Sequence, residues 1–500
     1  MKKTLLVIGG ILVVLAGIWV ILWNAGKEEV FARMDAEIRA LDTAGTRISF
    51  AGRDVSGFPF GYTVMLQDVV AHLPDSGSTF RLPEVTSSAD LSDPDRLVTR
   101  IPETFELEIV PTDAMKQADP ALADQYLVEF ETIAAELVVN GRPDTQRQIE
   151  LTAESLLGVH TDASLGTSVA IELQDVASTS ELPARIDAGT TVTTGRIGFV
   201  DYVVRGAAES GTPVTIEGQT EDIRFSGTST VQTAADIQAL FEGTLQGRVE
   251  ATFGVGSSIS RFVAEGSEDS PGGSLETRSG TSSGTVALDD GSVVLRGESR
   301  NNSWHLVTEA DALVQEATVQ IEMFDGIYQV PLSPSDAMRP FEVKFAMIDM
   351  TLDEALWSVL DPDGEIDRAP AQLLIDTVGT MRLTKPQSEM RTGEAPPVAF
   401  GNLSVNKLDL SILGAQATAR GDVEFIQPIN LPQGTMTLRL KNALEVMSRL
   451  VAAEVLTPDV LLFASLMAQN YLLEDPESGE LVGEFEMGPG GITVNGQPLQ

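Results

Sequence analysis

Gly280-Thr281-Ser282-Ser283-Gly284 has the spacing of a G-x-S-x-G nucleophile elbow. That chemistry needs a buried strand before the serine, a helix after it, and an acid and then a histidine further along to activate the hydroxyl. Here the pentapeptide lies in a Gly/Ser-rich stretch, and His305 is the only later histidine, with Asp289 and Asp290 in between. Ser404-Val405-Asn406-Lys407 matches S-x-x-K, which works where a helix brings Ser and Lys to one face. This segment alternates as a strand, and alternation sends the two side chains to opposite faces. His72, His160 and His305 lack the spacing that ligates zinc. Asp361-Pro362-Asp363-Gly364-Glu365-Ile366-Asp367 resembles a calcium loop, but its glycine stands fourth rather than sixth and the closing glutamate is missing. A turn is the better reading, because Pro362 stops a helix and the Asp and Gly residues supply turn chemistry. No catalytic, cofactor-binding or metal-ligating residue is assigned, and the chain is read as a protein without enzymatic activity.

The elements that would position such groups are mostly strands. Phe58, Phe60, Tyr62, Val64 and Leu66 alternate within residues 57–73; Phe105, Leu107 and Ile109 alternate with Glu106 and Glu108. Further strands are expected over 80–91, 168–176, 190–205, 214–218, 223–227, 292–296, 319–324, 341–347, 403–412 and 436–440. Residues 112–139 begin with a helical period through Ala121, Tyr126, Leu127, Phe130, Ile133, Ala134 and Leu137, then merge into a strand near Glu136–Val139. Helices are expected over 234–245, 353–360 and, broken at Thr457-Pro458, 443–473. The fragment LQDV occurs twice, at Leu66–Val69 and Leu173–Val176, each time closing an alternating run. So many alternating strands imply antiparallel sheets with one apolar face each.

Residues 4–23, TLLVIGGILVVLAGIWVILW, carry no charge. As a helix, twenty residues rise about 30 Å, the hydrocarbon thickness of a bilayer. The run is too long for a signal-peptide core, and Trp23 is too bulky for the minus-three position of a cleavage site after Ala25, so an uncleaved anchor is expected. Lys2 and Lys3 hold the start in the cytoplasm, and Trp19 and Trp23 suit the outer interface. The expected arrangement is a single-pass inner-membrane protein with its bulk in the periplasm. Val30, Phe31, Met34, Ile38 and Leu41 continue the helical spacing over a juxtamembrane segment, 24–44. Beyond it lie a first β-rich half (45–253), a Gly/Ser-rich loop or linker (254–285), and a second β-rich half with a C-terminal helical pair (286–500).

Thirty-three basic against 73 acidic residues give a net charge of −40, which repels nucleic acid and excludes it as a partner. A hydrophobic content of 43% argues against disorder. With no cysteine, the chain has no disulfide and no lipid-bearing Cys.

Several marks fall in a recognisable order: the anchor, a helix, Gly57-Phe58-Pro59 leading into a long strand, Asp361-Pro362, Pro370-Ala371-Gln372-Leu373-Leu374-Ile375-Asp376, Asn402-Leu403-Ser404-Val405 with Gly414, Pro432-Gln433-Gly434, paired helices, and a closing Asn495-Gly496-Gln497-Pro498-Leu499. In this order the chain resembles the bacterial family called domain of unknown function 2125, and more distantly the AsmA-like envelope proteins. The family brings no catalytic residues to carry over. The resemblance implies a periplasmic, membrane-anchored body of long, curved antiparallel sheets with a few packed helices, and the AsmA-like relatives imply a sheet that shields acyl chains. Two kinds of function fit: lipid binding or transfer in envelope homeostasis, or a non-enzymatic scaffold for envelope proteins.

Overall fold

The computed structural model describes residues 47–499 except 57–60, 74–76, 91, 112–124, 142–144, 163–165, 185–188, 209–210, 231–246, 267–271, 290, 309–314, 363, 365, 386–396, 428–429 and 454. The expected anchor, the juxtamembrane segment and the helix over 234–245 lie outside the described residues. Among the described residues no helix is long and apolar enough to cross a membrane. Among the described residues three helices, α1 (Glu354–Leu360), α2 (Ala443–Ala452) and α3 (Pro458–Tyr471), stand among many strands. The ladders among the described residues are antiparallel, as the alternation implies, apart from an isolated parallel bridge between Pro334 and Leu383. The chain divides into two compact units, residues 1–234 with 260–264, and 235–259 with 265–500.

In the first unit, Gly61–Leu73 pairs with Ser78–Asp90, whose two halves then diverge. The first half pairs with Thr104–Ile109 and the second with Asp93–Arg100. These in turn pair with Tyr126–Ile133 and Glu136–Asn140, and both of the latter rejoin on Arg147–Asp162. The apolar residues of this lobe form a buried cluster that includes Val69, Phe80, Leu97, Leu107, Leu137 and Ile149. Arg147 is buried at its margin, and burial lowers its guanidinium pKa. Beyond Arg147–Asp162 the ladder continues through Thr167–Leu182, Thr191–Ala207 and Pro213–Ser229.

Several strands turn a corner at a residue of positive φ, and positions at these corners fall into line across the ladder. Asp68, Ala134, Asp175 and Asp222 have φ near +50°. The flanking registers set Ala134 opposite Glu154, then Asp175, Gly198 and Asp222 in succession. A left-handed residue inside a strand interrupts the two-residue alternation, so inward positions before and after it are spaced by three rather than two. Leu66 and Val69 are accordingly both buried on either side of Asp68. The LQDV fragment is therefore a corner signature, used at Asp68 and again at Asp175. The same skip unites the expected strands 214–218 and 223–227 into Pro213–Ser229, with Asp222 at the bend.

Residues 126–133, whose spacing reads as helical, form a strand. The false period comes from Leu127 and Ile133, apolar residues on the outward side of this strand at 40% and 56% exposure, while Phe130 faces inward; Ala134 at positive φ then resets the phase before the buried Leu137. The stretch 254–285, expected as a loop or linker, lies largely in strands: the end of Arg248–Val255, then Ser257–Ala264, Gly273–Ser279 and the start of Ser282–Asp289. Its glycines and serines find partners across the ladder. A Cβ on Gly284 would come within 2.4 Å of the Phe253 ring on the opposite strand. Gly195 faces Phe225 in the same way at 2.3 Å, so each aromatic ring lies flat over a glycine that leaves it room.

In the second unit Gly273–Ser279 and Ser282–Asp289 both pair with Ser292–Thr308, and the ladder runs on through Glu316–Pro331, Arg339–Leu352, Ala371–Leu383, Val398–Ile412, Ala415–Ile426, Leu431–Lys441 and Leu481–Gly488. Corners recur at Asn301 and Asp349, both with φ of 53°. Helix α1 starts where Asp353 caps it, accepting from the Leu356 N–H at 3.0 Å. It ends at Asp361, as Pro362 requires.

Candidate functional site: an apolar sheet face

The residues with chemical potential are not brought together. Gly280 and Thr281 form the corner between two strands, and Ser282 Oγ lies 3.0 Å from Ser279 Oγ and 2.9 Å from Ser299 Oγ. His305 Nδ1 is instead 3.1 Å from Thr318 Oγ1, with Glu316 3.6 Å from its other ring nitrogen. His72 meets Thr79 across a ladder at 2.9 Å, and His160 Nδ1 lies 2.6 Å from the Leu127 carbonyl. Asp361 is buried, and its Oδ2 accepts from the Ile366 N–H at 2.9 Å, which closes the turn. Among the described residues no group of His, Asp and Glu is placed to hold a metal.

For Ser404 and Lys407 the alternation argument is corrected by a bulge. Thr377 pairs with Val405 and Asp376 with Lys407, so Asn406 is an extra residue and Ser404 and Lys407 share a face. Each is engaged elsewhere: Ser404 Oγ donates to Asp422 at 2.6 Å, and Lys407 lies 3.4 Å from Asp409.

What the second unit does assemble is a two-sided surface. Ladder registers place Phe324, Met347, Leu373, Leu410, Ala417, Leu440 and Leu481 in one row across seven strands. A second row on the same face runs Gly326, Phe345, Ile375, Leu408, Ala419 and Leu438. The opposite face carries Lys344, Asp376 and Lys407 in register. There Lys344 sits 2.7 Å from Glu342, and that partner, with Asp376, raises its pKa. Arg439 on the same face reaches Asp475 and Glu480, each at 3.5 Å. Hydrogen bonds from the Glu477 and Ser478 segment and from Arg439 lower the Asp475 pKa. A shallow cavity of about 270 Å³ lies among Lys407, Asp409, Arg420 and Arg439.

The apolar rows are partly exposed. Phe324, Met347, Phe345, Leu373, Ile375, Leu408, Leu410, Leu438, Leu440 and Leu481 all retain accessible surface, whereas Leu107 and Leu137 of the first unit are each 2% exposed. The rings of Trp304 and Phe324 lie 6.3 Å apart and those of Phe324 and Phe345 6.2 Å apart, which extends the row toward an exposed Trp304. Helix α3 is apolar on most sides and exposes Leu462 and Phe463 at 60% and 67%.

Sequence reading found the alternation but not the rows, because two bulges and the positive-φ corners reset the phase from strand to strand.

Fold and surface define an antiparallel β protein whose second unit carries an apolar sheet face and, opposite it, a face with charged rows. Residues 23–246 match the model of a family described as an uncharacterized protein conserved in bacteria, DUF2125, which supports the resemblance over that stretch. No curated protein and no solved structure matches the chain.

Proposed function

We propose that this chain is a non-enzymatic protein of the bacterial envelope, tethered to the inner membrane by residues 4–23, whose periplasmic body binds or guides acyl lipid along the apolar face of its second unit. The observation that carries this reading is the partial exposure of that face, residue after residue, from Phe324 to Leu481. Large apolar side chains left accessible in a row mark a surface built to be covered. Seven strands at roughly 4.8 Å spacing extend it over about 29 Å, comparable to the hydrocarbon thickness of a bilayer. An acyl chain laid there loses its contact with water, while the charged opposite face keeps the sheet solvated. The AsmA-like resemblance implies the same use of a sheet.

Extraction and mass spectrometry of residues 45–500 released without detergent test this reading. Co-purifying acyl lipid, lost when Met347 and Leu373 are both changed to Asp, is the expected result. Recovery of folded protein with no lipid overturns it. The placement has its own test: protease added to spheroplasts should degrade the body, and the mature protein should retain Trp19 and Trp23.

A second reading, a scaffold for envelope proteins, is favoured by the exposed Leu462 and Phe463 of α3. It predicts a protein complex captured through crosslinkers placed on α3 and lost on Phe463→Asp.

A further inference from the structure

A polar cluster interrupts the apolar face of the second unit. At the Asn301 corner, Ser279, Ser282 and Ser299 stand in a triangle of hydroxyls with Oγ–Oγ separations of 3.0, 2.9 and 2.9 Å. Ser299 Oγ also lies 2.7 Å from Asn302 Oδ1. Asn302 is 9% exposed, and its Nδ2 is buried without a hydrogen-bond partner. The three serines above it are partly exposed.

This cluster belongs to the same face as the aromatic row. Ser299 is directly opposite Phe324 in the ladder, so the two side chains project to one side. Phe324 contacts Trp304, 43% exposed, on one flank and Phe345 on the other. The arrangement is thus a polar notch at the head of a strip of exposed aromatic and aliphatic surface.

The protons in the notch are unevenly distributed. Three hydroxyls supply three donors for four contacts, and the amide NH2 donates to nothing. Turning the amide, whose two ends are distinguished only by hydrogen bonding, lets Nδ2 donate to Ser299. The Ser299 proton is then free to point outward, and Asn302 still keeps one end unpaired. A buried polar group without a partner is unfavourable unless something arrives to complete the set.

We infer that this notch receives the neutral oxygens of an acyl ester, a glycerolipid ester or hydroxyl, while the hydrocarbon lies along Trp304, Phe324 and Phe345. The inference rests on the reading of the face as an acyl-lipid surface and specifies which end of the ligand sits where. Neutrality follows from the surroundings. The charged residues beside the notch serines in sequence, Arg278 with Glu276 and Arg300 with Glu298, pair with one another on strand positions that alternate with the serines and so face the other side. A carboxylate in the notch would be desolvated with no cation to meet it. Ser282 and Ser299 supply the hydroxyl contacts, and Asn302 is a positioning residue beneath them.

The test uses the full chain held in amphipol, with a monoacylglycerol brominated on its acyl chain and a brominated alkane of equal length as probes. Bromine quenches tryptophan on contact, and the Trp304→Phe variant identifies the Trp304 part of the signal. Wild type should bind both probes, with quenching at Trp304. Ser299→Ala with Ser282→Ala should weaken the monoacylglycerol about tenfold and leave the alkane unchanged; Asn302→Leu should do the same. An ionised fatty acid at pH 9 should bind no more tightly than the alkane. Equal weakening of both probes, no weakening of either, or preference for the fatty acid overturns the notch as an ester site and leaves the apolar face standing. Failure of wild type to bind either probe overturns the acyl-lipid reading itself. Ser282→Ala alone, the mildest change, carries the same directional prediction where the double variant does not fold.

Discussion

Leu107 and Leu373 both sit on antiparallel strands, and both are flanked by polar or partly exposed neighbours, yet one is 2% exposed and the other keeps accessible surface. The difference is in what lies opposite. Around Leu107 the ladder forks, the short strands Thr104–Ile109 and Asp93–Arg100 take separate routes, and both routes rejoin on Arg147–Asp162. Side chains from several directions then converge on one cluster. Around Leu373 the strands are long and pair with one neighbour on each side, and the apolar side chains lie next to one another in rows. Apolar alternation therefore specifies which face is apolar but not whether it is filled.

The comparison can be broken most directly in the lobe. Leu107→Ala or Leu137→Ala should cost about 2–5 kcal/mol, because each removes a fully buried side chain from a closed cluster. Leu373→Ala should cost clearly less, under about 1.5 kcal/mol, because part of its side chain is already in water. Urea unfolding followed by circular dichroism checks both, and equal losses would mean that the second-unit face is a packed core.

Next in size are the corners. Asp175 has φ of 53°, so Asp175→Val should destabilise by roughly 1–2 kcal/mol and Asp175→Gly should be tolerated. Gly195→Val should cost about 1–3 kcal/mol, since its Cβ would meet the Phe225 ring at 2.3 Å. Thermal unfolding separates these from Thr194→Val on the exposed side of the same strand, which should change little. The smallest effect is expected on the charged face: Lys344→Gln should leave the unfolding midpoint unchanged within error, because exposed ion pairs contribute little.

Much of this was legible in the residues. Alternation at Phe105, Leu107 and Ile109, or at Phe341, Val343, Phe345 and Met347, identified the strands and their antiparallel class, and Asp361-Pro362 marked the end of α1. Three features hid the rest. Outward apolar residues at Leu127 and Ile133 made one strand look helical, and Asp222 at positive φ shifted the phase by one and split another in two. The bulge at Asn406 returned Ser404 and Lys407 to one face. Gly284 lies in the stretch read as loop or linker, but like Gly195 it leaves room for an aromatic ring on the strand beside it, and that pairing appears only once the register is known. The notch at Asn302 was hidden for the same reason, because Ser279, Ser282 and Ser299 are brought together by a corner rather than by spacing.

The chain contains no cysteine, so a single introduced thiol reports one position without interference. Leu373→Cys and Leu137→Cys, each made in the full chain and treated with a maleimide under native conditions, test the central claim most directly. The account predicts that Cys at 373 reacts readily and is protected when an acyl ester is added, while Cys at 137 reacts only as the protein unfolds. Equal protection at both positions in the absence of ligand would contradict it.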